Sequence, residues 1–201
     1  MKKIITLIIS LFSIIGFSWL ALFIISSLYS PQADHVPFLN DHRVISPEIE
    51  NQRPLFRKYA KANDLEPYTD LIMAVAMQES KGKSSDIMQA SESLGLPKDS
   101  IEDPEKSIEV GTRYFKKSMD KADGNIPLAL QSYNFGLGFT DYVRHHGGRF
   151  SKELAEQFSD SKARELGWKK YGDPNYAEHV LRYYQNEKIK RSGEAKSGES
   201  E

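Results

Sequence analysis

From Ser46 to Tyr184 the apolar and polar positions follow helical periods, and no stretch shows the alternation and hairpin turns of a strand. Ser46 followed by Pro47 is a helix start: a hydroxyl to cap the free backbone N–H groups, then a proline whose fixed φ suits the first turn. Pro54 interrupts the segment from Glu48 to Ala62 and predicts either two short helices or one kinked helix. Pro67 to Ser80 is apolar on most sides, which predicts the buried central helix of the domain. Asp103-Pro104 repeats the start signal for a helix to about Lys121, with Ile108, Gly111, Thr112, Phe115 and Met119 at helical spacing. Further helices are expected from Asn125 to Tyr133, closed by Asn134-Phe135-Gly136-Leu137-Gly138, and from Thr140 to His145, ended by Gly147-Gly148. Ser151 caps a helix carrying Leu154, Ala155 and Phe158, and Asp173-Pro174 opens a last one through Val180, Leu181 and Tyr184. The fold class expected is all-α, one helical domain over residues 47–185.

The two ends have a different character. After Met1-Lys2-Lys3, the run from Ile4 to Tyr29 holds no charged residue. That exceeds the roughly 20 residues needed to span a bilayer core, and the 7–15 of a cleaved signal's apolar region. It predicts a transmembrane signal-anchor over 4–29, with residues 1–3 cytoplasmic because of their lysines and the domain outside the cell membrane. The competing reading, a long cleavable signal ending near Ala33, lacks a convincing small-x-small site. Residues 30–46 have two prolines and no sustained period, and read as a linker. Residues 186–201 are charged and nearly free of apolar side chains, which predicts a disordered tail.

Composition narrows the chemistry. A net charge of −1 gives no basic excess, so a dedicated nucleic-acid binder is not expected. There is no cysteine among the 201 residues, which removes disulfides, thiol nucleophiles and thiolate metal sites. The five histidines form no His-Glu-x-x-His, and adjacent His145 and His146 point about 100° apart on a helix. Neither a metal nor any other cofactor is expected. Gly136-Leu137-Gly138 has no preceding strand and no following lysine, so it is no phosphate cradle.

One carboxylate stands out. Glu79 ends the apolar run TDLIMAVAMQES, and desolvation there would raise its pKa and keep it protonated near neutral pH. A glycosidase needs such a group to protonate the leaving glycosidic oxygen. Taken alone, Glu79 also fits a solvated residue at a helix end. Two more clusters follow, Asp86-Ile87-Met88-Gln89 with Glu92, and Gln131-Ser132-Tyr133-Asn134-Phe135-Gly136. By themselves Met88 reads as core filler, Tyr133 as a core aromatic and Glu92 as the cap or ion pair of a short helix.

In this order and on a helical background, the Glu79-Ser80, Met88-Gln89 and Tyr133-Asn134 pairs resemble the lysozyme-like superfamily of goose-type lysozymes and soluble lytic transglycosylases. The stretches AVAMQESKG, DIMQASESLGLP, IEDPEKSIEVGTRYF, LQSYNFGLGFTDYV and YGDPNYAEHVLRYY are similar to the lysozyme-like domain of CwlT-type cell-wall hydrolases. Those hydrolases accompany conjugative elements of Gram-positive bacteria. The resemblance covers about residues 50–185 and implies a peptidoglycan glycosidase that cleaves the β-1,4 bond between N-acetylmuramic acid and N-acetylglucosamine. Its partners would be glycan strands of the wall, the membrane through the N-terminal helix, and conjugation or cell-wall machinery.

Carried over by position, Glu79 is the catalytic acid, and Ser80 and Gly82 shape the turn after it. Gln89 lines the sugar cleft with Met88 as its apolar neighbour, while Tyr133 orients or contacts the acid and Asn134 contacts the substrate's N-acetyl group. Asp86-Ile87 replaces the Gly-Leu usual in transglycosylases, and it adds Asp86 beside Glu92 as candidate second carboxylates. Glu92 is taken as the one that positions water or steadies charge at the anomeric carbon, with Asp86 left open. The alternatives are a lytic transglycosylase leaving 1,6-anhydro ends, and an inactive glycan-binding scaffold. Peptide cleavage is not implied, because the cysteine peptidase domain of bifunctional members is missing here.

Overall fold

The computed structural model describes residues 45–184. The expected stub 1–3, anchor 4–29, nearly all of the linker 30–46 and the tail 186–201 lie outside the described residues. Within them the chain is helical with no strand. No helix among them is long and apolar enough to cross a membrane.

Each helix begins where its capping chemistry places it. Ser46 Oγ accepts from Ile49 N at the head of α1 (Pro47–Glu50). The break at Asn51-Gln52 separates α1 from α2 (Arg53–Ala62), so of the two expected outcomes at Pro54 the chain adopts two helices. A single 3₁₀ turn, Glu66–Tyr68, absorbs Pro67, and the central helix α3 starts after it (Thr69–Glu79). Asp103 caps α4 (Pro104–Lys121) by accepting from Glu105 N, and Asn125 caps α5 (Ile126–Phe135) by accepting from Leu128 N. Gly136, at φ 83°, ends α5 two residues later than the Asn134 signal predicts. Then come α6 (Gly138–His145) and α7 (Lys152–Leu166), the latter capped by Ser151 Oγ on Leu154 N. The last helix, α8, covers 176–184. It starts later than Asp173-Pro174 predicts, because Asp173 Oδ1 is spent on capping a turn through Asn175 N.

Helix α3 is the axis of the core. Seven successive residues, Leu71 through Met77, are buried, so the helix is enclosed on every side. Each large apolar side chain so buried contributes about 1.5–3 kcal/mol. Helices α1 and α2 pack against α3, while α4 packs on α2 and α5, and α6 on α5. A carboxylate carried by the last residue of α3 is thereby delivered from the core to its rim.

The irregular segment after α3 is pinned to α4 at one point of close approach. A Cβ added to Gly111 would stand 2.6 Å from both Cβ and Sδ of Met88. Met88 is fully buried and its backbone N accepts no freedom to move, since it donates to Ser107 Oγ at 3.0 Å. Gly111→Ala is therefore expected to destabilise the domain by roughly 2 kcal/mol through overpacking. A thermal melt followed by circular dichroism checks this, and an unchanged midpoint would contradict the close packing.

Candidate active site

Glu79 sits where α3 ends. The residue keeps a partial opening to solvent, but its carboxyl is surrounded mostly by protein. Burial is the largest influence on it and pushes its pKa up to about 7. A hydrogen bond from Tyr176 and the charge of Lys98 pull the other way, and the nearby Asp86 and Glu92 charges add to the rise. The acid is thus poised to exchange a proton near neutral pH.

The hydroxyl of Tyr176 donates to Glu79 Oε1. Tyr176 is almost wholly buried. Burial, and then the neighbouring Glu79 charge, hold its phenol well above the usual range, so it remains a donor. Helix α8 presents Tyr176 from a loop knotted at Asp173. The backbone N of Asp173 donates to Asn134 Oδ1 at 2.7 Å, and its carbonyl accepts from Gln131 Nε2 at 2.7 Å. Its carboxylate takes Asn175 N at 3.0 Å on one oxygen and His179 Nδ1 at 2.6 Å on the other. Gln131 Oε1 also accepts from Ala177 N at 3.3 Å. The end of α5 and the start of α8 are so joined, and the phenol reaches the acid in a fixed pose.

The segment following the acid is a scaffold of polar contacts. Ser80 Oγ donates to Ile87 O at 2.8 Å and accepts from Gly82 N at 3.0 Å, folding the chain back at once. Gly82, at φ 76°, lies against α1: a Cβ there would stand 2.7 Å from Glu48 Cβ. Ser80 is therefore placed as a turn-former, not as a side chain directed at a substrate.

Asp86 departs further from its expected role. It is fully buried, and both oxygens are occupied. Oδ1 accepts from Ala90 N at 2.8 Å and Ser107 Oγ at 2.6 Å, and Oδ2 from Ser91 N at 3.1 Å and Ser91 Oγ at 2.6 Å. Burial alone would push this carboxyl up. The two hydroxyls and two backbone N–H groups outweigh it and hold the acid below its ordinary range. A carboxylate with four donors and no exposed surface has no lone pair left for a sugar or a water. Its expected places as a substrate contact and as an open second carboxylate are corrected to that of a structural hub.

Met88 is likewise fully buried, so the apolar side chain expected beside the cleft belongs to the core. Gln89 is half-buried in a left-handed conformation, φ 47°. Its Nε2 donates to Asp86 O at 3.1 Å and Asp99 Oδ1 at 2.6 Å, while Oε1 is buried with no donor in reach. Glu92 is exposed on the 3₁₀ turn Ser91–Leu94, close enough for its charge to act on Glu79.

Tyr133 is buried, but its hydroxyl donates to Met88 O at 2.9 Å. The tyrosine expected at the acid is thus a neighbour in the wall. Its ring stacks on Tyr176 at 6.4 Å, and Tyr176 is the one that reaches Glu79. Asn134 has its amide oxygen committed to Asp173 N, which leaves its amide nitrogen alone to meet an N-acetyl group. Sequence reasoning missed Tyr176, Asp173, Gln131 and His179 as parts of the site. The visible signals for them were the helix-start pattern Asp173-Pro174, the place of Gln131 at the head of the second cluster, and the stretch YGDPNYAEHVLRYY.

The family model described as lysozyme-like matches residues 46–196, and the chain belongs to that family. Among its relatives, the bifunctional muramidase/DL-endopeptidase CwlT of Bacillus subtilis (strain 168) is 54% identical over 139 residues, 69% of this chain and 42% of CwlT. The membrane protein YocA of the same organism is 35% identical over 154 residues, 68% of each chain. A crystal structure of a protein similar to lipoprotein of the NLP/P60 family from Staphylococcus aureus subsp. aureus Mu50 superposes with a TM-score of 0.65 at 38% identity. It matches 70% of this chain and 54% of that one. The chain thus spans well under half the length of CwlT and about half of the solved neighbour.

Proposed function

We propose that the domain is a peptidoglycan glycosidase, with Glu79 as general acid at the β-1,4 bond between N-acetylmuramic acid and N-acetylglucosamine. The observation that carries this reading is the buried Glu79 carboxyl, pushed up to about 7 and held by the Tyr176 phenol. In its neutral form the carboxyl gives its proton to the departing glycosidic oxygen, and the phenol's hydrogen bond then steadies the carboxylate left behind. The name of CwlT joins a muramidase to an endopeptidase; the lysozyme-like match over residues 46–196 favours the first for this domain. The charge-free run from Ile4 to Tyr29 would hold the domain at the outer face of the cell membrane, toward the wall.

A hydrolase needs a second group to activate water, and Glu92 is the candidate left standing once Asp86 is occupied. The spent state of Asp86 also favours a second reading, a lytic transglycosylase, in which the muramyl 6-hydroxyl itself attacks. Ionised Glu79 would then take the proton that the 6-hydroxyl loses as it attacks, while the proton first given leaves on the glycosidic oxygen. Digestion of purified peptidoglycan by the full chain, with products read by mass spectrometry, separates the two. Ends that gain mass on borohydride reduction mean hydrolysis, and ends lighter by one water mean 1,6-anhydro products. Wall binding with no soluble product would instead leave an inactive scaffold.

The pH profile follows from the acid's surroundings. The working form is protonated, so kcat/KM is expected to fall about tenfold per pH unit above about 7 as Glu79 ionises. Rates measured from pH 5 to 9 check this; a profile flat to pH 8 would contradict a single essential acid.

A further inference from the structure

Trp168 is 59% exposed, the most exposed of the large apolar side chains among the described residues. Large aromatic surface left in water is costly, and a single indole held open on a rigid support is more telling than a scattered leucine. The support here is firm. Trp168 N donates to Ala163 O at 2.8 Å, closing the end of α7 behind the left-handed Gly167. The indole stacks on Tyr171, with ring centroids 6.1 Å apart and planes 28° apart. Tyr171 is fastened at both ends: its hydroxyl donates to Phe135 O at 3.0 Å, and its carbonyl accepts from Ser159 Oγ at 2.6 Å. The next residue, Gly172, has room for no side chain, since a Cβ would stand 2.6 Å from the Phe135 ring and 2.7 Å from Asn134 Oδ1. Asp173 and then Tyr176, the partner of Glu79, follow on the same fastened loop.

We infer that Trp168, flanked by Lys169 and Lys170, is a glycan subsite in which the indole stacks on the apolar face of an N-acetylhexosamine ring of a wall strand. The inference rests on the glycosidase reading and extends it to a second contact point on the strand. Three features select this occupant. The C–H groups on one face of a pyranose ring meet the negative face of an aromatic ring favourably. Lys169 and Lys170 are exposed, so they offer donors to the carboxylates of the stem peptides that muramyl residues bear, which an uncharged glycan lacks. The loop runs directly from the indole to the residue that holds the catalytic acid, so a strand lying on the platform is fixed relative to Glu79.

Isothermal titration of soluble, uncrosslinked glycan strands into the full chain carrying Glu79→Gln, which prevents turnover, tests the subsite. Adding Trp168→Ala is expected to weaken binding about tenfold, the worth of one well-placed ring contact, and Trp168→Phe to recover part of it. Because the indole is exposed, the melting midpoint should not move. In the chain that keeps Glu79, Trp168→Ala should raise KM with kcat and its pH dependence unchanged. Equal affinity with and without the indole would overturn the subsite and leave the glycosidase reading standing. Absence of binding even with Trp168 in place would overturn both.

Discussion

Glu79→Gln should reduce release of soluble glycan by a factor of about 10²–10⁴, the usual worth of a positioned acid, while making the folded domain more stable. The two effects have one origin. The native carboxyl has a pKa of about 7 against 4.5 when unperturbed, so the fold prefers the neutral form. Below about 4.5 both states are protonated and nothing is lost. Between there and about 7 the unfolded chain ionises first and stability falls; above 7 the loss is complete. At 1.36 kcal/mol per unit, allowing for the partial opening to solvent, the native glutamate costs about 2 kcal/mol at pH 8. Glutamine has the same shape, still accepts from Tyr176 and has no charge to bury. The variant should therefore melt several degrees higher at pH 8 and at nearly the wild-type temperature at pH 4.5. Retained cleavage, or equal stability of the two proteins at pH 8, would remove Glu79 from its assigned place.

Asp86→Asn should be the most damaging single-atom exchange in the domain. One of the two oxygens becomes an NH₂ group and faces donors: Ala90 N and Ser107 Oγ on one side, Ser91 N and Ser91 Oγ on the other. At least two buried donors lose their acceptor and a third donor is pressed against them, at a fully buried position. The expected loss is about 3–5 kcal/mol, a large part of the 5–15 kcal/mol that holds a typical domain. Unfolding in urea at pH 7 measures it. Since the native pKa is depressed, the stabilisation by Asp86 is present above the ordinary aspartate range and lost as pH falls through it. The gap between the two proteins should accordingly narrow in acid. Glu79→Gln and Asp86→Asn thus separate the two carboxylates: one is held at a cost in stability, the other is built into the frame.

The sequence carried much of this and withheld the rest for physical reasons. Helix starts at Ser46, Asp103, Asn125 and Ser151 were legible because capping is local: the acceptor and the N–H it serves are two or three residues apart. The enclosed α3 and the glutamate at its end were legible because an all-round apolar run has few other places to go. Asp86 was misread because its oxygens are filled from Ser107, 21 residues away, as well as from its own loop. In sequence, a carboxylate saturated by hydroxyls looks the same as one waiting for a substrate. Tyr133 and Tyr176 differ only in which of two stacked rings turns its hydroxyl toward the acid, a matter of tertiary placement that periodicity does not encode.

Glu79 and the phenol that holds it lie 97 residues apart in the chain. A polypeptide made only as far as α7 would contain the acid, the hub at Asp86 and most of the core, yet nothing to grip the carboxyl. The loop at Asp173 and helix α8 complete the Glu79–Tyr176 pair last, in the order of synthesis. On the glycosidase reading, an unfinished or clipped chain would be an unarmed one, and cutting capacity would arrive only with nearly the whole domain in place.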